Sequence, residues 1–151
     1  MSPSVVKPWL HLGLRFGLGA VFFYAGVIKL RDPRGFEASI ASFQLVPASW
    51  IPLLAASLPF TEAIAGFWLM LGWRPRAPAL ALGLLTTGFL LALGQAWARG
   101  LAIDCGCFGS APPSRGEAGL ALARDLLVWA ATCLIYAEAK RQDERSRPLP
   151  Q

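Results

Sequence analysis

Two cysteines separated by one glycine are the residues of this 151-residue chain whose types and spacing point most directly to chemistry. Cys105 and Cys107 can close a disulfide only in a small, bent ring, and Gly106 tolerates the backbone angles that such a ring needs. Strained, exposed disulfides exchange readily with thiols because their reduction potentials are high. The spacing therefore favours a redox pair. A static disulfide that fixes a loop, and half of a metal site, are the alternatives.

A metal site would require further ligands, and the only histidine of the chain, His11, is expected at the cytoplasmic end of the first helix, far from the cysteine loop. We therefore expect no metal. Cys133 lies in the last apolar stretch, roughly 22 Å along a helix from the side where that stretch begins, which is beyond disulfide reach of the pair. We expect it to be a packed free thiol.

Ionisable side chains within apolar stretches form a second group of candidates, because each costs at least about 2.5 to 3.5 kcal/mol at the centre of a membrane. These residues are Arg15, Glu62, Arg124 and Asp125. Counted from the ends of their stretches, Arg15 and Glu62 lie roughly 20 and 18 Å from the same surface. The matching depths predict an intramembrane ion pair. It would either fix the helix register or handle protons or a ligand.

Cations near the cysteine pair could tune its reactivity. Arg124 and Lys29 lie toward the same side as Cys105 and Cys107, and a nearby positive charge favours the thiolate, whereas the adjacent Asp104 opposes it. We predict a supporting role for these three residues. The alternatives are that Asp125 or a lipid headgroup neutralises Arg124, and that Lys29 extends along the helix to the membrane surface.

Composition indicates a membrane protein, because 55% of the residues are hydrophobic and only 15% are charged. The apolar stretches 9–30, 50–72, 77–98 and 118–137 are each long enough to span about 30 Å of hydrocarbon. The sequence thus predicts an all-α, integral membrane four-helix bundle over residues 1–140 and a polar tail over 141–151. Gly13 and Gly17 have the spacing of a close helix contact. The basic residues are scattered between the stretches, which argues against nucleic acid as a partner.

The first long loop is predicted to contain a short interfacial helix, since Asp32 and Pro33 resemble an N-cap and first turn. Phe36, Ile40 and Phe43 then recur at helical spacing. Lys and Arg flanking the spans number seven on the side of the termini and five on the other side. This difference predicts cytoplasmic termini, with the cysteine loop outside.

Several motifs together resemble the MauE-type methylamine-utilisation proteins, a branch of the DoxX-like membrane proteins. The matching residues are Arg15, Gly19, Phe23, Ala25-Gly26, Lys29-Leu30, Pro33, Leu58-Pro59, Glu62, Gly66, Gly72, Arg99-Gly100, Asp104 to Gly109 and Arg124-Asp125. The resemblance implies a protein of the bacterial cytoplasmic membrane that acts with a thioredoxin-like partner in maturing the disulfide-rich small subunit of methylamine dehydrogenase. DoxX-like relatives are linked to quinone-coupled sulfur redox chemistry, which implies a quinone as the cofactor to test.

The leading hypothesis is a membrane thiol-disulfide oxidoreductase or maturation factor. Cys105 and Cys107 would exchange electrons with an extracytoplasmic, disulfide-containing protein. The rival hypothesis is a non-enzymatic transport or assembly subunit in which the cysteines form a structural disulfide. Serine substitution of both cysteines separates the two.

Overall fold

Helices account for almost all of the chain that a computed structural model describes, which is residues 8–101 and 115–146, with side chains for 9–101 and 119–144. The elements are α1 (Pro8–Arg31), α2 (Pro33–Ser42), a short 3-10 turn (Ala48–Trp50), α3 (Ile51–Leu71), α4 (Arg76–Ala98) and α5 (Arg115–Ser146). Four of them, α1, α3, α4 and α5, are long and apolar enough to cross a membrane. The predicted all-α membrane bundle is confirmed.

The four long helices form a ring in which α1 packs on α3, α3 on α4, α4 on α5, and α5 back on α1. Two ends of the bundle follow from this order. At the turn end, α3 passes into α4 through residues 72–75. At the loop end, α4 ends and α5 begins, joined by residues 99–114. Cys105, Cys107 and Asp104 belong to this connection and lie outside the described residues.

The last helix differs most from its expected bounds, since α5 begins at Arg115 and continues to Ser146 rather than ending near 137. Part of the expected polar tail is thus helical. Arg76 on α4 donates to Asp143 at 3.1 Å, and Lys140 lies 4.0 Å from Glu144 one turn later. Such pairs favour helix beyond the apolar stretch.

The short helix α2 forms as predicted. Asp32 Oδ1 accepts a hydrogen bond from the Gly35 N–H at 3.0 Å, and Pro33 occupies the first turn. The apolar face of α2 turns toward the bundle, where Phe36 is buried. Phe43, just beyond the helix, packs with Leu93 and Ala96 of α4 and Ala121 of α5. The first loop therefore covers the loop end of the bundle.

Helices α1 and α3 approach each other most closely, through glycines. A Cβ on Gly66 would lie 2.6 Å from the Phe23 nitrogen and 2.7 Å from the Gly19 oxygen. A Cβ on Gly26 would lie 2.7 Å from the Ala63 nitrogen. Only glycine permits this backbone separation, and in lipid such close packing replaces much of the hydrophobic drive available in water. This glycine seam fixes the register of α1 against α3.

Substituting Gly66 with alanine should lower the thermal stability of the protein in detergent. The added methyl would overlap backbone atoms of α1, and overpacking of this kind costs about 1 to 3 kcal/mol. Thermal unfolding followed by circular dichroism measures the effect. Gly17→Ala is the matched control, because nothing lies within 4 Å of its Cβ position. Equal melting temperatures for the two variants would contradict the seam.

Candidate functional site

A buried ion pair lies between α1 and α3 in the half of the bundle nearer the loop end. Lys29 Nζ donates to Glu62 Oε1 at 2.9 Å and to Oε2 at 2.7 Å. The two side chains are 6% and 15% exposed, so the pair is shielded from solvent. The alternative in which Lys29 extends along the helix to the membrane surface is therefore wrong. Its ammonium also lies 5.1 Å from the centroid of the Phe36 ring, a cation–π distance.

The predicted pair between Arg15 and Glu62 does not form, because Lys29 occupies Glu62. Glu62 follows the start of α3 at Ile51 by eleven residues, whereas Lys29 precedes the end of α1 at Arg31 by two. At equal depth, α3 extends roughly 13 Å beyond the end of α1. The prediction from the sequence assumed that α1 ends and α3 begins at the same depth in the membrane. The glycine seam instead shifts the two helices relative to each other.

Arg15 lies at the turn end, where its guanidinium reaches Gly72, roughly 15 Å along α3 from Glu62. Its guanidinium is placed against Gly72, which ends α3 with a φ of 76°. Glycine is favoured at this position because φ is positive. A Cβ here would also displace the guanidinium, which is the flexible end of the Arg15 side chain. Arg15 Nε is buried and has no hydrogen-bond acceptor among residues 8–101 and 115–146.

Arg124 and Asp125 form a second ion pair on α5. Arg124 Nε lies 3.0 Å from Asp125 Oδ1, as one of the alternatives from the sequence anticipated. Asp125 is 8% exposed. Its second oxygen, Oδ2, is buried and meets no donor within the described part of the chain. A buried carboxylate oxygen without a donor is costly, so it marks a place where a ligand or water hydrogen could bind.

Two cavities meet at the Lys29–Glu62 pair. The larger, about 510 Å³, lies between α2, α3 and α4, and the smaller, about 270 Å³, lies between α1, α4 and α5. Leu85 and Phe89 of α4 also line both cavities. The ion pair therefore forms part of the wall between them. The smaller cavity is also lined by Arg124 and Asp125, which brings all four charges to one apolar region.

The walls of the larger cavity are mainly apolar and leave few free hydrogen-bonding groups. The hydroxyls of Ser39 and Thr61 donate to the backbone oxygens of their own helices, Gly35 and Ser57. The Lys29 ammonium carries three N–H groups and directs two of them to Glu62. One donor thus remains for a ligand. The cavity suits an apolar molecule with a hydrogen-bond acceptor.

The structure brings Lys29, Glu62, Arg124 and Asp125 together and separates Arg15 from them. Asp125 was recognised as intramembrane but not as a cavity residue, and no sequence pattern singled out Leu85 or Phe89. The lone histidine, His11, has its Nε2 3.3 Å from Glu138 Oε2. Cys133 is free but exposed on the surface of α5, so the expectation that it is packed is wrong.

Replacing Lys29 with methionine should destabilise the protein strongly, because Glu62 would remain buried without its partner. Breaking one side of a buried pair costs about 3 to 5 kcal/mol. The double change Lys29→Met with Glu62→Leu should restore most of the loss, since apolar replacements of both partners are often neutral. The free energy of unfolding in detergent should be measured for the wild type, for Lys29→Met and for the double variant.

Lys140→Met is the control for that experiment, because Lys140 is 51% exposed and lies 4.0 Å from Glu144. An exposed pair of this kind contributes at most about 1 kcal/mol. If Lys29→Met were no less stable than Lys140→Met, the buried pair would not be a stabilising element of the fold.

Comparison with known proteins assigns the family. The model of the family described as methylamine utilisation protein MauE matches residues 7–138. A methylamine utilization protein MauE of Paracoccus denitrificans is 30% identical over 109 residues, which is 72% of this chain. The match covers 59% of that relative, so the chain spans about three-fifths of its length. No solved structure matches. The chain belongs to the MauE family of methylamine utilisation proteins.

Proposed function

We propose that this MauE-family membrane protein is a thiol-disulfide redox or maturation factor whose reactive groups are Cys105 and Cys107. The observation that carries the proposal is a Cys-Gly-Cys pair in the connection between α4 and α5, at the end of the bundle where Lys29, Glu62, Arg124 and Asp125 line the cavities. Family membership ties the chain to methylamine utilisation.

The chemical step is a thiol-disulfide exchange. A thiolate of a substrate protein attacks one sulfur of the Cys105–Cys107 disulfide and forms a mixed disulfide. The second substrate thiolate then attacks its own sulfur in that mixed disulfide and releases the pair. The substrate loses two electrons and gains a disulfide, and Cys105 and Cys107 become thiols once protonated. The substrate is an extracytoplasmic protein, and a thioredoxin-like protein is the partner that accompanies it. Cytoplasmic termini belong to the same proposal, since they place the cysteine loop on the oxidising side.

The residues around the cavities fit a quinone, which would supply a two-electron acceptor for the reduced cysteine pair. The larger cavity of about 510 Å³ is within the usual range for small-molecule sites and is walled mainly by apolar side chains. The free N–H of Lys29 suits a carbonyl acceptor. In the smaller cavity, Asp125 Oδ2, which meets no donor among the described residues, suits a hydroxyl donor. Lys29, Glu62, Arg124 and Asp125 carry no net charge together, which suits a neutral ligand.

The cysteine pair should cycle between disulfide and dithiol when membranes are treated with an oxidant or a dithiol. Alkylation followed by mass spectrometry measures this, with two alkyl groups on the peptide after reduction and none after oxidation. Cys133→Ser provides the background, because the exposed thiol of Cys133 would also be alkylated. A pair locked in one state under all conditions would sink the redox proposal. Retained function of the Cys105→Ser, Cys107→Ser double variant at normal abundance would support the non-enzymatic assembly or transport subunit.

Filling the larger cavity should weaken quinone binding without unfolding the protein. Gly88 lines this cavity, and nothing lies within 4 Å of its Cβ position, so Gly88→Leu adds bulk where there is space. Quinone extracted from purified protein, and quenching of tryptophan fluorescence on titration with a quinone, measure binding. Gly94→Leu is the control, because Gly94 lies on the same helix beside open space and does not line either cavity. Equal binding by both variants and wild type would overturn the cavity as a quinone site.

A further inference from the structure

A third cavity, at the turn end of the bundle, differs from the other two in its charge. It has a volume of about 750 Å³ and lies between the start of α4 and the last turns of α5. Arg74 and Arg76 line it on one side, and Gln142 and Asp143 on the other. Leu80, 47% exposed, lines it one turn further along α4. The cavity is thus basic near the turn, at Arg74 and Arg76, and apolar further along α4, at Leu80.

The two arginines of this cavity are not equivalent. Arg76 Nη1 donates to Asp143 Oδ2 at 3.1 Å, and its guanidinium lies 6.0 Å from the centroid of the Tyr136 ring. Arg74 is exposed and has no ion pair or hydrogen bond to any residue of 8–101 or 115–146. It also adopts a φ of 47°, a left-handed conformation that is uncommon for a residue with a Cβ. No side chain among the described residues therefore neutralises the charge of Arg74.

The surroundings add further positive charge. Arg15 lies against Gly72, two residues before Arg74, and its buried Nε lacks an acceptor among the described residues. At this end the described side chains carry five Lys and Arg charges against three carboxylates. The cations are Arg15, Arg74, Arg76, Lys140 and Arg141, and the carboxylates are Glu138, Asp143 and Glu144. The surplus favours a ligand with negative charge.

The position of the cavity identifies the kind of ligand. Residues 72–75 connect two membrane-spanning helices, and Trp73, 75% exposed, stands where an indole prefers the headgroup boundary. The indole N–H of Trp68 donates to the Trp73 backbone oxygen at 2.7 Å and holds the turn. Arg74, next to Trp73 at the depth of the headgroups, can contact a lipid phosphate. Leu80, one turn into α4, lies at the depth where the acyl chains begin. Basic pockets between spanning helices suit anionic lipid headgroups.

We propose that the cavity lined by Arg74, Arg76 and Leu80 binds an anionic phospholipid. The phosphate accepts hydrogen bonds from Arg74 and the free N–H groups of Arg76, and an acyl chain lies along Leu80. A zwitterionic lipid is disfavoured, because Asp143, the carboxylate among the described residues that line the cavity, is already bound to Arg76. The site is separate from the cysteine pair and the Lys29–Glu62 cavities, and does not depend on the proposed redox role.

Native mass spectrometry and thermal unfolding of the full chain in detergent test the site, with phosphatidylglycerol, phosphatidylethanolamine and phosphatidylcholine added in turn. Phosphatidylglycerol should bind best and raise the melting temperature most. Arg74→Gln should weaken its binding roughly five-fold, the effect of about 1 kcal/mol for one basic residue near a lipid surface. Arg31→Gln is the control, since it removes the same charge from an exposed arginine at the opposite end of the bundle.

The melting temperatures of both variants in phosphatidylcholine report whether they fold as the wild type does. If Arg74→Gln proved unstable there, Leu80→Glu, which places a carboxylate beside the acyl chain, should abolish the same lipid effect. Equal binding of phosphatidylglycerol by wild type and both site variants would overturn the proposal. So would equal binding of all three lipids. Inorganic phosphate that binds at the same concentration as phosphatidylglycerol and protects equally would identify a simple anion site instead of a lipid site.

Discussion

The close approach of α1 and α3 is the constraint on which the arrangement of the polar groups depends. Gly19 and Gly26 on α1, and Gly66 on α3, let the two backbones meet, and any larger residue would meet backbone atoms. Apolar helices in lipid have no hydrophobic driving force to associate, so close steric packing sets their relative position. The fit places Lys29 opposite Glu62. One contact between small residues thus determines which charges neutralise each other inside the bundle.

The number, kind and approximate bounds of the membrane helices could be predicted from the sequence, because the cost of exposing backbone polar groups to lipid leaves few alternatives to long apolar helices. The start of α2 could be predicted too, since Asp32 and Pro33 act through local backbone chemistry. The partner of Glu62 could not. Whether Glu62 pairs with Arg15 or with Lys29 depends on how far α3 is shifted along α1. The length of an apolar stretch can be counted in the sequence, but the shift between two such stretches cannot.

The glycines illustrate the same limit. Gly13 and Gly17 have the spacing of a close helix contact, yet nothing lies within 4 Å of either Cβ position. The contact is made instead by Gly19 and Gly26, which are seven residues apart. Spacing identifies positions on one face of a helix, and several faces of α1 meet that criterion. The cavities could not be predicted from the sequence either, because the larger one forms only where α2 folds back against α3 and α4.

The two ends of the bundle differ in how charge is compensated, and this difference limits what each can bind. At the cavities beside Lys29, Lys29 and Arg124 each have a carboxylate within hydrogen-bond distance, and Asp125 Oδ2 is a buried acceptor that meets no donor among the described residues. A charged ligand there would disturb a balanced network in a medium that screens poorly, whereas a neutral amphiphile would not. At the turn end the cations exceed the carboxylates, and Arg74 has no acceptor among the described residues. The proposed neutral ligand inside the bundle and the proposed anionic headgroup at its turn end share one physical reason: each would complement the charge balance that the described helices leave.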